Sequence, residues 1–195
     1  MGLQERINIT KSTVDGIESR ILFERHIERY CLARKYLYGN VCDVACGVGY
    51  GAYLCSKNPD VMSIRGFDID ELAIREANDN FNENKVSFYK EVIDNIHGDF
   101  DMLISLETIE HLDNPESLFN MVERCKIHEI ILSFPNKKTT HYNRWHLWDI
   151  RSEDIKNIFY NFYVLDDFDF YDSKFMHLVR GKPSCKKLKL WNSKG

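Results

Sequence analysis

The chain has 195 residues, 44% of them hydrophobic and 29% charged, which suits one packed domain of ordinary size and excludes global disorder. Its formal charge is −4, from 26 basic and 30 acidic side chains, the opposite balance from a chain that holds nucleic acid by bulk electrostatics. The first twenty residues carry Glu5, Arg6, Lys11, Asp15, Glu18 and Arg20 and no apolar run long enough for a signal core or a membrane span, so a cytoplasmic protein without a membrane partner is expected.

Helical and strand periods then alternate. Residues 17–38 are expected to form an amphipathic helix, because Phe23, Ile27 and Tyr30 recur at helical spacing and Gly39-Asn40 stop it. Val41–Cys46 is a short apolar run ending in glycines, as a buried strand does. A helix over 49–57 is broken by Asn58-Pro59, and Val61–Phe67, Glu71–Phe81 and Val86–Tyr89 follow as strand, helix and strand. Phe100–Ser105 makes a fourth strand. Asn114-Pro115-Glu116 opens a helix with proline in its first turn that reaches about Cys125. Ile127–Phe134 is a fifth strand, closed by Pro135-Asn136. After a polar and aromatic loop over 136–150, Ser152 opens another helix, and Tyr163–Phe170 with Phe175–Val179 form a hairpin.

Parallel strands need crossovers, and helices supply them, so the pattern predicts one α/β domain over residues 1–185. It is a Rossmann-like, doubly wound, mainly parallel sheet with an antiparallel edge strand near the C-terminus. The helix 17–38 would cover a cofactor, and residues 186–195, with Lys186, Lys187, Lys189 and Lys194, form a basic tail. Cys31, Cys42, Cys46, Cys55, Cys125 and Cys185 contain no CxxC pair and read as reduced, small core residues.

In an open α/β sheet, ligands bind at the carboxyl ends of the strands. The first strand-to-helix turn is Asp43-Val44-Ala45-Cys46-Gly47-Val48-Gly49-Tyr50-Gly51-Ala52, whose glycines let the backbone turn tightly and approach a ligand. A branched side chain at Gly49 would on this reading occupy the ligand's volume. Asp68 ends the second strand about twenty residues on, where a carboxylate accepts both hydroxyls of a ribose. NAD and S-adenosylmethionine (SAM) both fit so far. Asp43, four residues before Gly47, separates them: a carboxylate there suits an ammonium and repels a pyrophosphate.

Glu107, Glu110 and His111 follow the fourth strand at i, i+3 and i+4, so a helical turn would put them on one face. His111 can serve as general base with a carboxylate orienting it, or all three can ligate Mg²⁺ or Mn²⁺. His146, in the loop after the fifth strand, is a fourth candidate ligand. The same loop offers Tyr142, Trp145 and Trp148 for stacking and Asn143, Arg144 and His146 for hydrogen bonds, as an acceptor wall would. The alternative is that the two Trp pack the loop onto the sheet.

DVACGVGYGAYL followed by GFDID resembles class I SAM-dependent methyltransferases, in the branch that includes the ubiquinone-type and sugar methyltransferases. Glu24-Arg25-His26 through Arg29-Tyr30, SLETIEHL at 105–112 and SFPN at 133–136 support the resemblance, which spans about residues 20–165. It implies SAM as cofactor, with Asp43, Ala45, Gly47 and Gly49 lining its methionine end, Asp68 binding its ribose and Ile69 flanking its adenine. Tyr30 with His26 would cover the methionine end, and Glu91, with Asp94 the weaker candidate, would reach the adenine amino group. Glu-x-x-Glu-His with a later His is similar to small-RNA 3′-terminal 2′-O-methyltransferases, where four side chains hold a metal.

The expected activity is O-methylation of a sugar or similar small hydroxyl acceptor, with His111, Glu107 and His146 catalytic and Glu107, Glu110, His111 and His146 as the candidate metal set. The 2′-hydroxyl of an RNA 3′-terminal ribose is the second reading. A non-catalytic SAM-binding partner subunit is the third, and an NAD oxidoreductase the last.

Overall fold

The structure, a computed structural model, describes residues 11–181. Cys185 and the basic tail over 186–195 lie outside the described residues. Two compact units divide the chain, the first running to Asn95 and the second starting at Ile96.

In the first unit, helix α1 (Lys11–Ala33) precedes strand β1 (Gly39–Val44), helix α2 (Tyr50–Ser56), strand β2 (Val61–Asp68), helix α3 (Glu71–Phe81) and strand β3 (Val86–Lys90). The strands are parallel in the order β3-β2-β1, with Asp43 beside Gly66 and Asp68 beside Lys90. Val41, Cys42, Val44, Ile64, Phe67 and Phe88 are buried in these strands, as continuous apolar runs in a parallel sheet require. Asp70 caps α3 by accepting from the amides of Leu72 and Ala73 at 2.8 and 3.4 Å.

The helix expected over 17–38 is displaced toward the N-terminus. It ends at Ala33 because Asn58 Nδ2 donates to the carbonyls of Arg34 and Leu37, at 2.7 and 2.8 Å, and holds that backbone outside a helix. The expected stripe is also reduced. Tyr30 is buried, whereas Phe23 is 62% exposed.

In the second unit, strand β4 (Met102–Leu106) runs into a short 3₁₀ turn (Ile109–His111) and helix α4 (Glu116–Arg124). Strand β5 (Glu129–Pro135), helix α5 (Ser152–Ile158) and strands β6 (Phe162–Phe170) and β7 (Ser173–Arg180) complete it. Strands β4 and β5 are parallel, β7 is antiparallel to β5, and β6 pairs antiparallel with β7. The expected hairpin and antiparallel edge are therefore present. Leu103, Ile104, Ile130, Ile131, Leu132, Phe134, Phe175 and Met176 fill these strands with buried side chains. Of the described cysteines, Cys42, Cys46, Cys55 and Cys125 are buried as expected, and Cys31 is instead exposed on α1.

Candidate functional site

The glycine loop between β1 and α2 is built from left-handed backbone. Ala45, Gly47 and Gly49 have φ of 59°, 54° and 87°. Ala45 is exposed, and alanine in this region is strained, which is characteristic of loops held for a function. The two glycines are required for different reasons. A Cβ at Gly47 would meet nothing within 4 Å, so that position opens on free space. One at Gly49 would lie 2.7 Å from Ala77 Cβ and 2.7 Å from the Phe88 ring. The expectation that Gly49 makes room for a ligand is therefore corrected: it makes room for the packing of α3 and β3.

Asp68 Oδ2 accepts from Gly47 N at 2.9 Å and Oδ1 accepts from Asp70 N at 2.9 Å, so its carboxylate braces the loop. Each oxygen has a second lone pair, so a ribose diol can be accepted as well. Ile69, directly after it, is 70% exposed and offers an apolar face. Glu91 Oε1 accepts from its neighbour Val92 N and from Asn95 Nδ2, at 3.0 and 3.1 Å, and so caps the turn after β3.

Asp43 is completely buried on β1, and the Tyr30 hydroxyl lies 3.3 and 3.4 Å from its two oxygens. Burial pushes its carboxyl up to about 8. The Tyr30 hydrogen bond opposes that rise and the Asp68 charge adds to it.

In the second unit, Glu107 follows β4 with φ 52°, so the left-handed region interrupts the helical turn expected over 107–111. Its amide donates to Ser133 O at 3.0 Å and its Oε1 accepts from Ser133 Oγ at 2.7 Å. Glu107 thus turns toward β5. One donor atom from each of Glu110, His111 and His146 lies within 4.8 Å of the other two, and Glu107 is not part of that group. The 3₁₀ turn and the loop 136–150 are joined by Leu147 N donating to Glu110 O at 2.8 Å and Trp148 Nε1 donating to Leu112 O at 2.8 Å.

Both imidazoles are anchored at Nδ1. His111 Nδ1 is 2.9 Å from Trp145 O, and since a carbonyl only accepts, Nδ1 carries a proton, so in the neutral imidazole Nε2 holds the lone pair. That Nε2 lies 3.9 Å from Glu110 Oε1. His146 Nδ1 is 2.6 Å from Thr139 Oγ1, and the two rings meet edge to face at 4.6 Å. Burial and the neighbouring His111 lower the His146 pKa, with Asp149 opposing. Sequence reading missed Ser133 and Thr139 as supports. A buried hydroxyl has no periodic signature, although SFPN contains the first of them. Trp145 and Trp148 are 64% and 44% exposed, so they are not merely packed against the sheet.

The sequence profile of a family described as a methyltransferase domain matches residues 20–169. The chain belongs to this methyltransferase family. The chain is similar in fold to magnesium protoporphyrin IX methyltransferase of Synechocystis PCC 6803, solved with bound S-adenosylhomocysteine (SAH), at 19% identity over 90% of each chain and a TM-score of 0.63. It is also similar to the PH0226 protein of Pyrococcus horikoshii OT3, at 20% identity over 82% of this chain and 91% of that one, TM-score 0.65. The methyltransferase domain of bacterial CtHen1-C matches at 18% identity over 81% of this chain and all of that one, TM-score 0.64. No curated protein matches the chain. The methyltransferase is thus a class I, SAM-dependent enzyme with the expected α/β, Rossmann-like fold. Among the described residues, no helix is long and apolar enough to cross a membrane. The open Gly47 position, the Asp68 carboxylate and the exposed Ile69 face fit the cofactor's sugar and base.

Proposed function

We propose that the methyltransferase transfers the methyl group of SAM to a hydroxyl of a sugar-like small molecule, with Mg²⁺ or Mn²⁺ held by Glu110, His111 and His146. The observation that carries this reading is the convergence of one carboxylate and two imidazoles within 4.8 Å. Both rings are oriented through Nδ1, as second-sphere partners orient metal-ligating histidines. A divalent cation supplies Lewis acidity there when bound. Transfer forms an O–CH₃ bond, breaks the S–CH₃ bond and releases the hydroxyl proton, so in-line positioning supplies much of the effect. The loop 136–150 supports the acceptor assignment. It is braced by Asp149, which accepts from Thr139 N and Thr140 N at 2.8 and 3.1 Å, and it presents Tyr142, Trp145 and Trp148 to solvent. Carbohydrate stacks on such faces.

A groove of about 450 Å³ beside that loop includes Asp113, Asn114, Glu116, Trp148, Asp149 and Asp154 in its wall. Carboxylates and an amide accept from hydroxyls and disfavour phosphodiesters, which supports a sugar over an RNA end. The RNA 3′-terminal ribose stays the second reading, because a divalent cation on the same three side chains would serve two neighbouring ribose hydroxyls as well as those of a sugar. A second mechanism needs no metal. His111 Nε2, with its lone pair beside Glu110, would accept the hydroxyl proton itself.

The test is Mn²⁺ titration of the SAH-loaded protein, followed by turnover with labelled SAM on neutral saccharides and on an RNA 3′ end. Expected are one Mn²⁺ site lost in Glu110→Gln, and turnover that EDTA stops and Mn²⁺ restores. Full-rate turnover after EDTA would remove the metal and leave His111 as base. Transfer to RNA alone would replace the acceptor.

A further inference from the structure

Helix α1 changes character along its length. Its buried side chains, Arg29, Tyr30 and Ala33, all lie toward its C-terminal end. From Lys11 to Glu24 the described side chains are exposed, over a span of roughly 20 Å. A helical stretch of that length is marginal in water by itself and gains its stability by packing an apolar face. Such a face is present. Val14, Ile17, Ile21 and Leu22 are 48, 47, 39 and 49% exposed, and with Glu18 and Arg25 they line one groove. The spacing i, i+3, i+4, i+7, i+8 and i+11 makes these six a single stripe. The far side of the helix is polar and paired within itself, with Arg20 Nε 3.2 Å from Glu24 Oε1. That mixture of charge differs from the lysine- and arginine-rich face of a helix that lies on an anionic membrane.

The stripe is symmetric about the midpoint of residues 19 and 20. Reversing the chain direction there exchanges Val14 with Arg25, Ile17 with Leu22 and Glu18 with Ile21, and the six positions map onto themselves. A surface with that property is complementary to its own antiparallel copy, as the isologous contact of a two-fold dimer requires. In this pairing Ile17 and Ile21 of both copies fill the centre. Glu18 stands one helical turn from Arg25 of the second copy, and symmetry repeats the pair. A parallel copy would instead set Glu18 beside Glu18 and Arg25 beside Arg25, like charge against like.

We propose that the exposed stripe of α1 docks a second copy of this chain, antiparallel about residues 19 and 20, in a two-fold dimer. A contact of this length belongs with the smaller, reversible interfaces, so the dimer forms and dissociates with concentration. The inference goes beyond the cofactor and acceptor readings and depends on neither.

Sedimentation equilibrium of the full chain over a wide concentration range tests it. The mass is expected to climb from one chain toward two, and Ile17→Lys or Ile21→Lys to hold it at one. Glu18→Arg and Arg25→Glu should each weaken association by roughly twofold to tenfold, the range of two exposed ion pairs, and the double exchange should restore it. Register is read by spin labels on Cys31, which is exposed on α1, in a Cys185→Ser background. The antiparallel dimer puts the two Cys31 backbones about 35 Å apart along the helices, whereas a parallel one puts them about 10 Å apart. A monomer at every concentration, a dimer that survives Ile21→Lys, or labels at the shorter separation overturns the proposal. So does a double exchange that associates no better than either single variant, an outcome that decides even where the lysine variants do not fold.

Discussion

Alanine substitution at the two loop glycines separates packing from cofactor room. At Gly49 the new methyl meets two penalties. The left-handed backbone, φ 87°, costs an L-residue about 1–2 kcal/mol. The contacts at 2.7 Å with Ala77 and at 2.7 and 2.8 Å with the Phe88 ring overpack a closed site, which adds about 1–3 kcal/mol. A total of about 2–5 kcal/mol in a chain of this size lowers Tm by roughly 4–20 °C. At Gly47 only the backbone term applies, since nothing lies within 4 Å of the new methyl, and the fall is roughly 2–8 °C. The affinity order is the reverse: the methyl at Gly47 projects into the open space assigned to the cofactor, so Gly47→Ala should weaken SAH more. Scanning calorimetry of both variants, with and without SAH, measures the two effects. Equal Tm losses, or a Gly47→Ala protein less stable than Gly49→Ala, would refute the distinction.

Burial holds the Asp43 carboxyl up to about 8, so below that pH most of it is protonated and cannot face an ammonium. SAH affinity should then rise roughly twentyfold between pH 6 and 7.5, with a proton released on binding, and Asp43→Asn should flatten the profile. Asp68→Ala removes an acceptor that braces Gly47 and is assigned to the ribose, and should weaken SAH by roughly tenfold to a hundredfold; unchanged affinity in calorimetry would remove the assignment. Trp145→Ala and His146→Ala should keep Tm and SAH affinity and lose turnover. A Tm drop of many degrees with unchanged kinetics would make the loop structural only.

Most of the fold was legible because burial on both faces writes a parallel strand as an unbroken apolar run. Val61–Asp68 extends the predicted Val61–Phe67 by one residue, and Glu129–Pro135 starts two residues later and ends one later than the predicted Ile127–Phe134. Turn chemistry placed the helices: Asp70 accepts two amides ahead of α3, and Asn114 Oδ1 accepts Glu116 N at 3.0 Å ahead of α4. The ends of α1 were not legible, because what stops it is a side chain from another element. Asn58 takes the carbonyls of Arg34 and Leu37, and nothing near Ala33 in sequence announces that.

The acidic and histidine cluster shows where spacing arguments stop. Glu107, Glu110 and His111 at i, i+3 and i+4 share a face only if the backbone between them is helical. With Glu107 in the left-handed region and the turn confined to Ile109–His111, that condition fails at its first residue. Glu107 is bound by Ser133 of β5, while Glu110 and His111 are joined to the loop that carries His146. Two carboxylates three residues apart therefore have separate chemistry. Ser133 lends Glu107 two hydrogen bonds and a fixed place at the end of β4, so its natural part is to set the strand-to-turn geometry on which the cluster stands. A metal held by Glu110, His111 and His146 depends on that geometry and not on the Glu107 charge. On this argument Glu107→Gln, which can still accept from Ser133, keeps Mn²⁺ affinity, whereas Glu110→Gln loses it. If the two variants lost Mn²⁺ equally, Glu107 would be a ligand after all, and its bond to Ser133 would have to break on metal binding.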